Sequence, residues 1–451
     1  EVNKMSEKHH AEAGQLKKAL SPIGLWAIAV GLVVSGDYYG FAYGFAEGGP
    51  VSFLVSFIPV TLMYVPFLFC YTELATSIPH AGGPSAYARR AFGPFAGFVT
   101  GFSVLIAFLI SPCAVALATG ALVNYLIPSI PALAATVVFF IFFMLVNLFG
   151  IETSSKLELV VTIVSLVGLV VFAVLAIPHF ELDTFKGVAE GESVFTNGFM
   201  GIAGAMTFSM WFYFAIDGAA MNAEEMKDPR DIPKGYIPAV ATLFITSLIS
   251  IILPAGIADY NAIASVDYPL AIALETPYGV GSFLPKLIAA IALFAMVSSF
   301  SAIILSFSRQ TYAMGRTGYL PGIFARTNSK GCPTYGLIVP GTIALIVTVL
   351  TNDTGLMVTI SVFAALIMYT IAIVSTFVMR KKEPTLERPF SAGKIMPVLA
   401  LIFVIVLFVC VLWANISVLI WVIVVYAVAV IYYFAYGKKN IRPIEEEFNM
   451  D

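Results

Sequence analysis

The sequence predicts an all-α protein that crosses a membrane many times. Of its 451 residues, 59% are hydrophobic and 11% are charged, and its mean hydropathy is +0.93. A helix that spans about 30 Å of hydrocarbon needs about 20 apolar residues, and stretches of that length recur from one end of the chain to the other. Lysine and arginine also gather in alternate connections, as is typical of a polytopic membrane protein.

We predict twelve transmembrane segments, numbered 1 to 12 in chain order. The connections are short except for two on the outside, 179–197 and 259–281, and two on the inside, 313–333 and 380–393. None of them is long enough to hold a separate soluble domain. The segments cover residues 22–46, 50–78, 94–126, 131–150, 157–178, 198–222, 235–258, 282–312, 334–351, 355–379, 394–413 and 415–436.

The basic residues predict the orientation of the chain. Placing both termini in the cytoplasm puts 22 of the 24 lysine and arginine residues on the inner side and leaves Lys186 and Lys286 outside. The tails 1–20 and 437–451 are therefore predicted to be cytoplasmic. Since the charge bias reports topology, it predicts the lipid bilayer as a partner and no nucleic acid.

Several functional classes find no support in the sequence. The polar first 20 residues contain no apolar core of a cleavable signal peptide. The cysteines, Cys70, Cys113, Cys332 and Cys410, form no C-x-x-C pair and have no metal-ligand spacing, so we predict no metal site and no cofactor. Catalytic motifs such as H-E-x-x-H and G-x-S-x-G are missing, and no histidine falls within a predicted span, so we do not expect an enzyme.

Two aspartates, Asp37 and Asp217, lie in the middle of segments 1 and 6. A carboxylate at bilayer depth is costly, so its presence there indicates a functional role. Each is next to a glycine, Gly36 or Gly218, which predicts that the helix opens at both points and frees backbone groups for a ligand. Paired interrupted helices are the sequence feature that best indicates a transporter's substrate site.

The residues around the aspartates leave two interpretations open. An aspartate beside a helix break can cap the half-helix that follows it. Two carboxylates that face one cavity would instead favour a cation, and aromatic side chains that attract ammonium groups adjoin both breaks. Packing is the alternative role for at least half of these aromatic residues. They are Tyr38, Tyr39, Phe41 and Tyr43 after the first break, and Trp211, Phe212, Tyr213 and Phe214 before the second.

Three separated stretches resemble the amino acid, polyamine and organocation permeases. They are ELATSIPHAGGPSAYARRAFGPFAGFVTG at 73–101, WFYFAIDGAAMNAEEMKDPRDIP at 211–233 and SRQTYAMGRTGYLP at 308–321. The resemblance implies the inverted-repeat leucine-transporter fold with discontinuous helices 1 and 6. Ten helices in residues 21–379 would then form a transport core of two repeats, about 21–178 and 198–379. Helices 11 and 12, at 394–436, would lie outside this core.

The residues at the first break differ from those of amino acid carriers in the superfamily. Those carriers typically show G-S-G-I-F there, and the backbone N–H groups of that stretch bind the substrate carboxylate. This chain reads VSGDY, so Asp37 replaces an apolar residue and would repel a carboxylate. The departure favours an amine without a carboxylate, carried by alternating access. A cationic or neutral amino acid permease stays the alternative.

The segment SGDYYGF and the region of segments 2 and 3 resemble the ethanolamine permease branch. That branch often carries a glutamate where this chain has Ala107. The resemblance implies import of ethanolamine, with Ser35 or Ser111 recognising its hydroxyl, and the departure at Ala107 leaves the exact amine open. The predicted substrate-binding residues are Ser35, Gly36, Asp37, Tyr38, Ala107, Ser111, Trp211, Phe214, Ile216, Asp217 and Gly218.

The sequence does not decide whether transport is coupled to protons, is coupled to sodium ions, or is an uncoupled uniport. Many relatives carry a proton-responsive lysine in helix 5, where this chain has Ser165. Serines on segment 8 could hold sodium together with carbonyls of segment 1, and a proton could travel on Asp37 or Asp217. Uniport would use the membrane potential alone. The predicted ion-binding residues are Ser298, Ser299 and Ser301.

Two further acids, Glu73 and Glu158, lie toward the inner ends of segments 2 and 5. We expect both to pair with arginine or lysine, because a buried carboxylate needs a partner. The compact organisation of the chain is typical of a bacterial inner-membrane protein.

Overall fold

The computed structural model describes residues 20–80, 82–148, 155–187, 193–328 and 332–443. Within these ranges the regular secondary structure is helical, apart from a parallel bridge between Leu20 and Met226. Eleven of the described helices are long and apolar enough to cross a membrane. The predicted cytoplasmic tails lie mostly outside the described residues.

The α-helices are numbered here in chain order. They are α1 Pro22–Val33, α2 Gly36–Tyr39, α3 Phe41–Ser77, α4 Pro84–Phe92, α5 Pro94–Leu126, α6 Ala132–Leu148, α7 Ser155–Ala176, α8 Leu182–Lys186, α9 Gly198–Ser209, α10 Ile232–Ile257, α11 Tyr260–Ala264, α12 Pro269–Tyr278, α13 Phe283–Thr317, α14 Thr334–Thr351, α15 Thr354–Lys382, α16 Ile395–Ala414, α17 Ile416–Tyr432 and α18 Lys438–Asn440.

Predicted segments 1 and 2 meet inside α3, because this helix continues across a kink at Gly49. Gly49 has φ 73° and ψ 174°, a conformation that favours glycine because it lacks a β-carbon. Predicted segment 4 corresponds to α6, which has 17 residues and is shorter than the eleven candidate spans. The last two residues of that prediction, 149–150, lie outside the described residues.

The segments that carry the two aspartates pack against one another, because α1 contacts the 3-10 helix Ile216–Glu225 that carries Asp217. The first helix, α1, packs on α7 and α10, and α9 runs along α3. A second group forms around α5, which packs on α13 and α15. Both aspartates are 1% exposed, so they lie in the packed interior between helices.

Large apolar side chains cover the outer surface of α6, α7, α14, α16 and α17. Leu350 is 78% exposed and Trp421 is 69% exposed, although both belong to helices that could span a membrane. Exposing such an apolar surface to water would be unfavourable, whereas contact with lipid tails avoids this cost. Together, the exposed apolar faces and the long helices define a multi-pass membrane protein.

Ion pairs join the helices at the end predicted to face the cytoplasm. Glu73 lies 2.5 Å from Arg380 and 3.6 Å from Arg388, which confirms the pairing expected for this glutamate. Arg309 lies 2.9 Å from Glu225, the last residue of the 3-10 helix that carries the second aspartate. These pairs neutralise carboxylates that would otherwise be buried and uncompensated.

Candidate functional site

The helix around Asp37 forms a tighter turn and does not unwind. Residues 34 and 35 join α1 to α2, and Val34 and Ser35 keep right-handed helical dihedral angles. The Asp37 N–H donates to Val34 O at 3.2 Å, and the Tyr38 N–H donates to Ser35 O at 3.0 Å. This is the i to i−3 pattern of a tighter helical turn. The predicted opening at Gly36 is therefore wrong in this structure, because the backbone groups around it remain bonded within the chain.

Predicted segment 6 is interrupted in a different way. Its first half, α9, ends at Ser209, and a 3-10 helix begins at Ile216. Between them Ala215 has φ 69°, a left-handed conformation that is uncommon for a residue with a β-carbon. The bend thus occurs at Ala215, and the expectation that Gly218 opens the helix is wrong.

Both glycines instead permit close packing. A β-carbon on Gly36 would lie 2.9 Å from Trp211 Cδ1 and 3.0 Å from Trp211 O. One on Gly218 would lie 3.0 Å from Phe108 Cζ. Glycine at these positions therefore lets neighbouring segments approach more closely than any other residue would.

The Asp37 carboxylate has no hydrogen-bond partner for either of its oxygens. The hydroxyls of Thr246 and Ser247, on α10, lie beside it. Each of these hydroxyls donates to Leu243 O, at 3.1 Å and 2.6 Å respectively. Burial of an anion without a countercharge is costly, so the arrangement suits a cationic ligand or a proton.

The Asp217 carboxylate has different neighbours. Its Oδ1 atom accepts a hydrogen bond from the Tyr369 hydroxyl at 3.0 Å, and its Oδ2 atom has no partner. The described hydrogen bonds and ion pairs do not link Asp217 to Asp37. The structure therefore gives the two carboxylates separate surroundings.

The aromatic residues of the two segments meet around Trp211. The Phe214 ring stacks on Trp211 with centroids 4.7 Å apart, and the Tyr39 ring lies edge-on to Trp211 at 6.3 Å. Tyr38, which was predicted to lie near the ligand, points elsewhere, because its hydroxyl donates to Ser165 O on α7 at 2.5 Å. Tyr39 is thus the tyrosine that contacts Trp211.

Three other predicted site residues are buried in the packed core. Ser111 is fully buried on α5, and its hydroxyl has no partner. Ala107 lies one turn earlier on the same helix and is also buried. The carbonyl of Ile216 accepts a hydrogen bond from the Tyr236 hydroxyl at 3.0 Å, so this residue anchors the second half of segment 6 to α10.

Two of the predicted ion-binding serines contact α1 or its neighbours. Ser299 accepts a hydrogen bond from the Ser35 N–H at 3.3 Å and donates to Gly31 O at 2.6 Å. Ser298 donates to Glu158 Oε1. Ser301 is buried on the same helix, α13, and no described hydrogen bond joins it to α1.

Glu158 does not form the expected ion pair with a basic residue in the described part of the chain. It is 5% exposed on α7, and its Oε1 atom occupies the space where a β-carbon on Gly31 would lie. Thr162, one turn further along α7, donates to Ala27 O at 3.2 Å. A carboxylate, hydroxyls and helix carbonyls therefore converge between α1, α7 and α13.

The polar residues of α10 and the tyrosines near Asp217 are not among the residues that the sequence predicts for the site. Thr246 and Ser247 occur in an apolar helix where hydroxyls usually bond back to the preceding turn, and they do so here. The signal that could have indicated them is a pair of adjacent hydroxyl residues within a predicted span. Tyr369 could have been noted as a tyrosine in the middle of segment 10.

The comparison with known proteins establishes the family. A family model described as amino acid permease matches residues 20–436. That range is most of the chain and includes nearly all of the described membrane-spanning helices. The chain therefore belongs to the amino acid permease family, whose members are transporters.

Individual relatives are similar over most of their length. The chain is 22% identical over 459 residues to the branched-chain amino acid permease BcaP of Bacillus subtilis (strain 168). This alignment covers 95% of this chain and 94% of the relative. It is 23% identical over 460 residues to the methylthioribose transporter of the same organism, covering 95% of each. It is 23% identical over 340 residues to the arginine/ornithine antiporter of Latilactobacillus sakei, covering 72% of this chain and 71% of the relative.

Proposed function

We propose that this protein imports a small organic amine, most simply ethanolamine, by alternating access across a membrane. The observation that carries the proposal is the Asp37 carboxylate, which is 1% exposed and has no partner for either oxygen. An ammonium group supplies the positive charge and the N–H donors that this carboxylate lacks. The hydroxyls of Thr246 and Ser247 lie beside the carboxylate and add polar groups to its surroundings.

The backbone near Asp37 argues against a substrate carboxylate at this position. The N–H groups of Ser35, Asp37 and Tyr38 already donate to acceptors within the protein. A carboxylate would find these three donors occupied and would face a second negative charge at short range. Both effects disfavour an amino acid bound in the usual orientation.

The hydroxyl of ethanolamine needs a partner of its own. Ser111 offers one, because its buried hydroxyl has none in the structure. Ala107, one turn away on the same helix, is a small residue beside this hydroxyl. We therefore assign recognition of the substrate hydroxyl to Ser111, with Trp211 and Phe214 covering the substrate.

Coupling to a cation gradient is assigned to the group around Glu158. A proton on Glu158, or a sodium ion between Glu158, Ser298, Ser299 and the Gly31 carbonyl, would neutralise the buried charge. The Ser35 N–H donates to Ser299, so this group connects directly to the turn that carries Asp37. Ion binding here would thereby influence the substrate site.

Relative movement of two groups of helices would produce the transport cycle. We propose that residues 21–178 and 198–379 are inverted repeats, and that predicted segments 1, 2, 6 and 7 rock against the others. The close packing of α1 on α10 and of α9 on α3 supports movement of these helices as a unit. Both termini would be cytoplasmic, and the membrane would be a bacterial inner membrane.

An amino acid permease is the second candidate function. The observation that favours it is the naming of two relatives, a branched-chain amino acid permease and an arginine/ornithine antiporter. In such a carrier Asp37 would contact the substrate amine, and the carboxylate would bind elsewhere. The methylthioribose transporter among the relatives is consistent with a family whose substrates vary widely.

Uptake into proteoliposomes distinguishes the two functions. Labelled ethanolamine is supplied under a membrane potential, a pH gradient or a sodium gradient, each imposed separately, with unlabelled amines and amino acids as competitors. Saturable uptake that amines inhibit and amino acids do not would support the amine importer. Absence of ethanolamine uptake together with transport of an amino acid would overturn it.

A further inference from the structure

The carboxylate of Asp217 lies within a group of tyrosines. The hydroxyls of Tyr64, Tyr71, Tyr236 and Tyr369 are all within electrostatic reach of it. Tyr369 donates to Oδ1 at 3.0 Å, and the Tyr64 hydroxyl donates to Tyr369 at 3.3 Å. These four tyrosines come from three helices, α3, α10 and α15, and are called the tyrosine cage below.

Two polar atoms in the cage lack a partner. They are Asp217 Oδ2 and the hydroxyl oxygen of Tyr71, and both residues are buried. An ionised carboxylate oxygen can accept hydrogen bonds but cannot donate them. The phenol oxygen of a tyrosine can accept a hydrogen bond as well. Both atoms can therefore accept a hydrogen bond from an N–H donor of a ligand.

No basic side chain in the described part of the chain pairs with Asp217. Elsewhere the protein compensates some buried or half-buried carboxylates, since Glu73 pairs with Arg380 and Glu383 pairs with Arg90. Asp217 therefore belongs, with Asp37 and Glu158, to the buried carboxylates for which the described residues provide no basic partner. Aromatic rings around an anionic group form the type of site that proteins use for ammonium ligands.

The cage and Asp37 contact α10 at different depths. Tyr236 bonds to the backbone beside Asp217, whereas Thr246 and Ser247 lie beside Asp37. About ten residues of helix separate Tyr236 from Thr246, which corresponds to about 15 Å along the axis. Tyr236 is near the end of α10 that is predicted to face the cytoplasm, so the cage lies on the inner side of Asp37.

We propose that Asp217 and the tyrosine cage bind the ammonium group of the transported amine at a second site, on the cytoplasmic side of the Asp37 site. This inference rests on the proposed function. The two sites would hold the amine in turn as it moves inward. The ammonium N–H groups would donate to Asp217 Oδ2 and to the Tyr71 hydroxyl.

The number of amines bound per chain tests the proposal. Radiolabelled ethanolamine is equilibrated with the purified full-length protein in detergent, and size-exclusion elution confirms that each variant is folded. We expect two ethanolamine molecules per wild-type chain and one per chain in Asp37→Asn and in Asp217→Asn. One molecule per wild-type chain that either substitution abolishes would mean a single shared site and would overturn the proposal. A wild-type protein that binds no ethanolamine would reject the proposed function itself, and this inference with it.

A second pair of variants separates ligand binding from a structural role. In the Asp37→Asn background, Tyr71→Phe removes a hydroxyl that makes no bond in the structure, so a purely structural role predicts no change. We expect at least a tenfold weaker affinity of the remaining site for ethanolamine. Tyr432→Phe is the matched control, because its hydroxyl is also without a partner but lies on α17. Equal affinities in the two variants would contradict the assignment of Tyr71 and of the cage.

Discussion

Gly36 and Trp211 are in contact at the point where the first helix tightens. A β-carbon on Gly36 would lie 2.9 Å from the Trp211 ring and 3.0 Å from the Trp211 carbonyl oxygen. The ring could rotate away from such an atom, whereas the carbonyl oxygen is fixed by the backbone of segment 6. The contact therefore sets the distance between the two segments that carry the aspartates.

The substitution Gly36→Ala tests this contact. Overpacking a tight interior costs about 1–3 kcal/mol of stability, so we expect Gly36→Ala to lower the apparent Tm of the purified protein and to slow the uptake of ethanolamine. Gly322→Ala is the control, because a β-carbon there would meet no atom within 4 Å and the residue has no left-handed φ. Equal uptake rates in the two variants would show that the close approach of Trp211 to Gly36 is not needed.

The carboxylate of Glu158 and the hydroxyls around it predict that a substitution at Glu158 changes how uptake depends on an ion gradient. Glutamine cannot carry a proton or a full negative charge, so Glu158→Gln should remove the dependence of uptake on the imposed pH or sodium gradient. Uptake driven by the membrane potential should remain. Proteoliposome assays under each gradient measure this. A gradient dependence that survives the substitution would place the coupling site elsewhere.

The contacts of the Asp267 carboxylate, in a loop predicted to lie outside the membrane, predict that the stability of the protein depends on pH. Tyr43 and Thr354 both donate to the Asp267 carboxylate, which joins the loop before α12 to α3 and α15. Burial raises the pKa of Asp267 above 3.8, and the two hydrogen bonds offset part of the rise. A raised pKa means that the folded protein holds this proton more tightly than the unfolded chain does. The contribution to stability is therefore complete below 3.8 and is lost as the pH rises through the raised pKa.

The apparent Tm of the purified protein between about pH 4 and about pH 8 measures this contribution. The amide of an asparagine side chain cannot titrate, so we expect Asp267→Asn to flatten the decline of Tm with rising pH. Tyr43→Phe, which removes one hydrogen-bond donor and keeps the ring on Phe208, should leave a decline in place. Parallel pH profiles in the wild type and Asp267→Asn would disprove the role of Asp267.

The ion pairs of Glu73 predict a loss of stability. Its side chain is 2% exposed, and both Arg380 and Arg388 lie beside it. Removing one partner of a buried pair is strongly destabilising, and the partial exposure of the arginines reduces the effect, so Glu73→Gln should cost about 2 kcal/mol. Glu387→Gln is the control, since its pair with Arg230 is mostly exposed. Thermal unfolding in detergent should show a clearly lower Tm for Glu73→Gln alone.

Several features could be predicted from the sequence, because they depend on composition and spacing. The helical membrane class follows from hydropathy, and the burial of Asp37 and Asp217 follows from their position within apolar segments. The pairing of Glu73 could also be expected, since arginines concentrate on the same side of the membrane.

Other features could not be predicted, because they depend on how helices pack. Glycine next to an aspartate suggested an opened helix, but the structure uses Gly36 for close approach and places the left-handed residue at Ala215. Glu158 was expected to pair with a base, yet it bonds to Ser298 from a different helix. A single sequence does not tell which hydroxyl faces which carboxylate.

The proposed function requires that Asp37 binds the ammonium group of the substrate. Uptake of labelled ethanolamine by Asp37→Asn, beside wild type and the exposed-acid control Asp183→Asn, tests it most directly. Removing one partner of a buried charge pair costs about 2–5 kcal/mol. We therefore expect at least about a tenfold rise in KM for Asp37→Asn and no change for Asp183→Asn. An unchanged KM in Asp37→Asn, with saturable uptake intact, would contradict the assignment of Asp37 as the amine-binding residue.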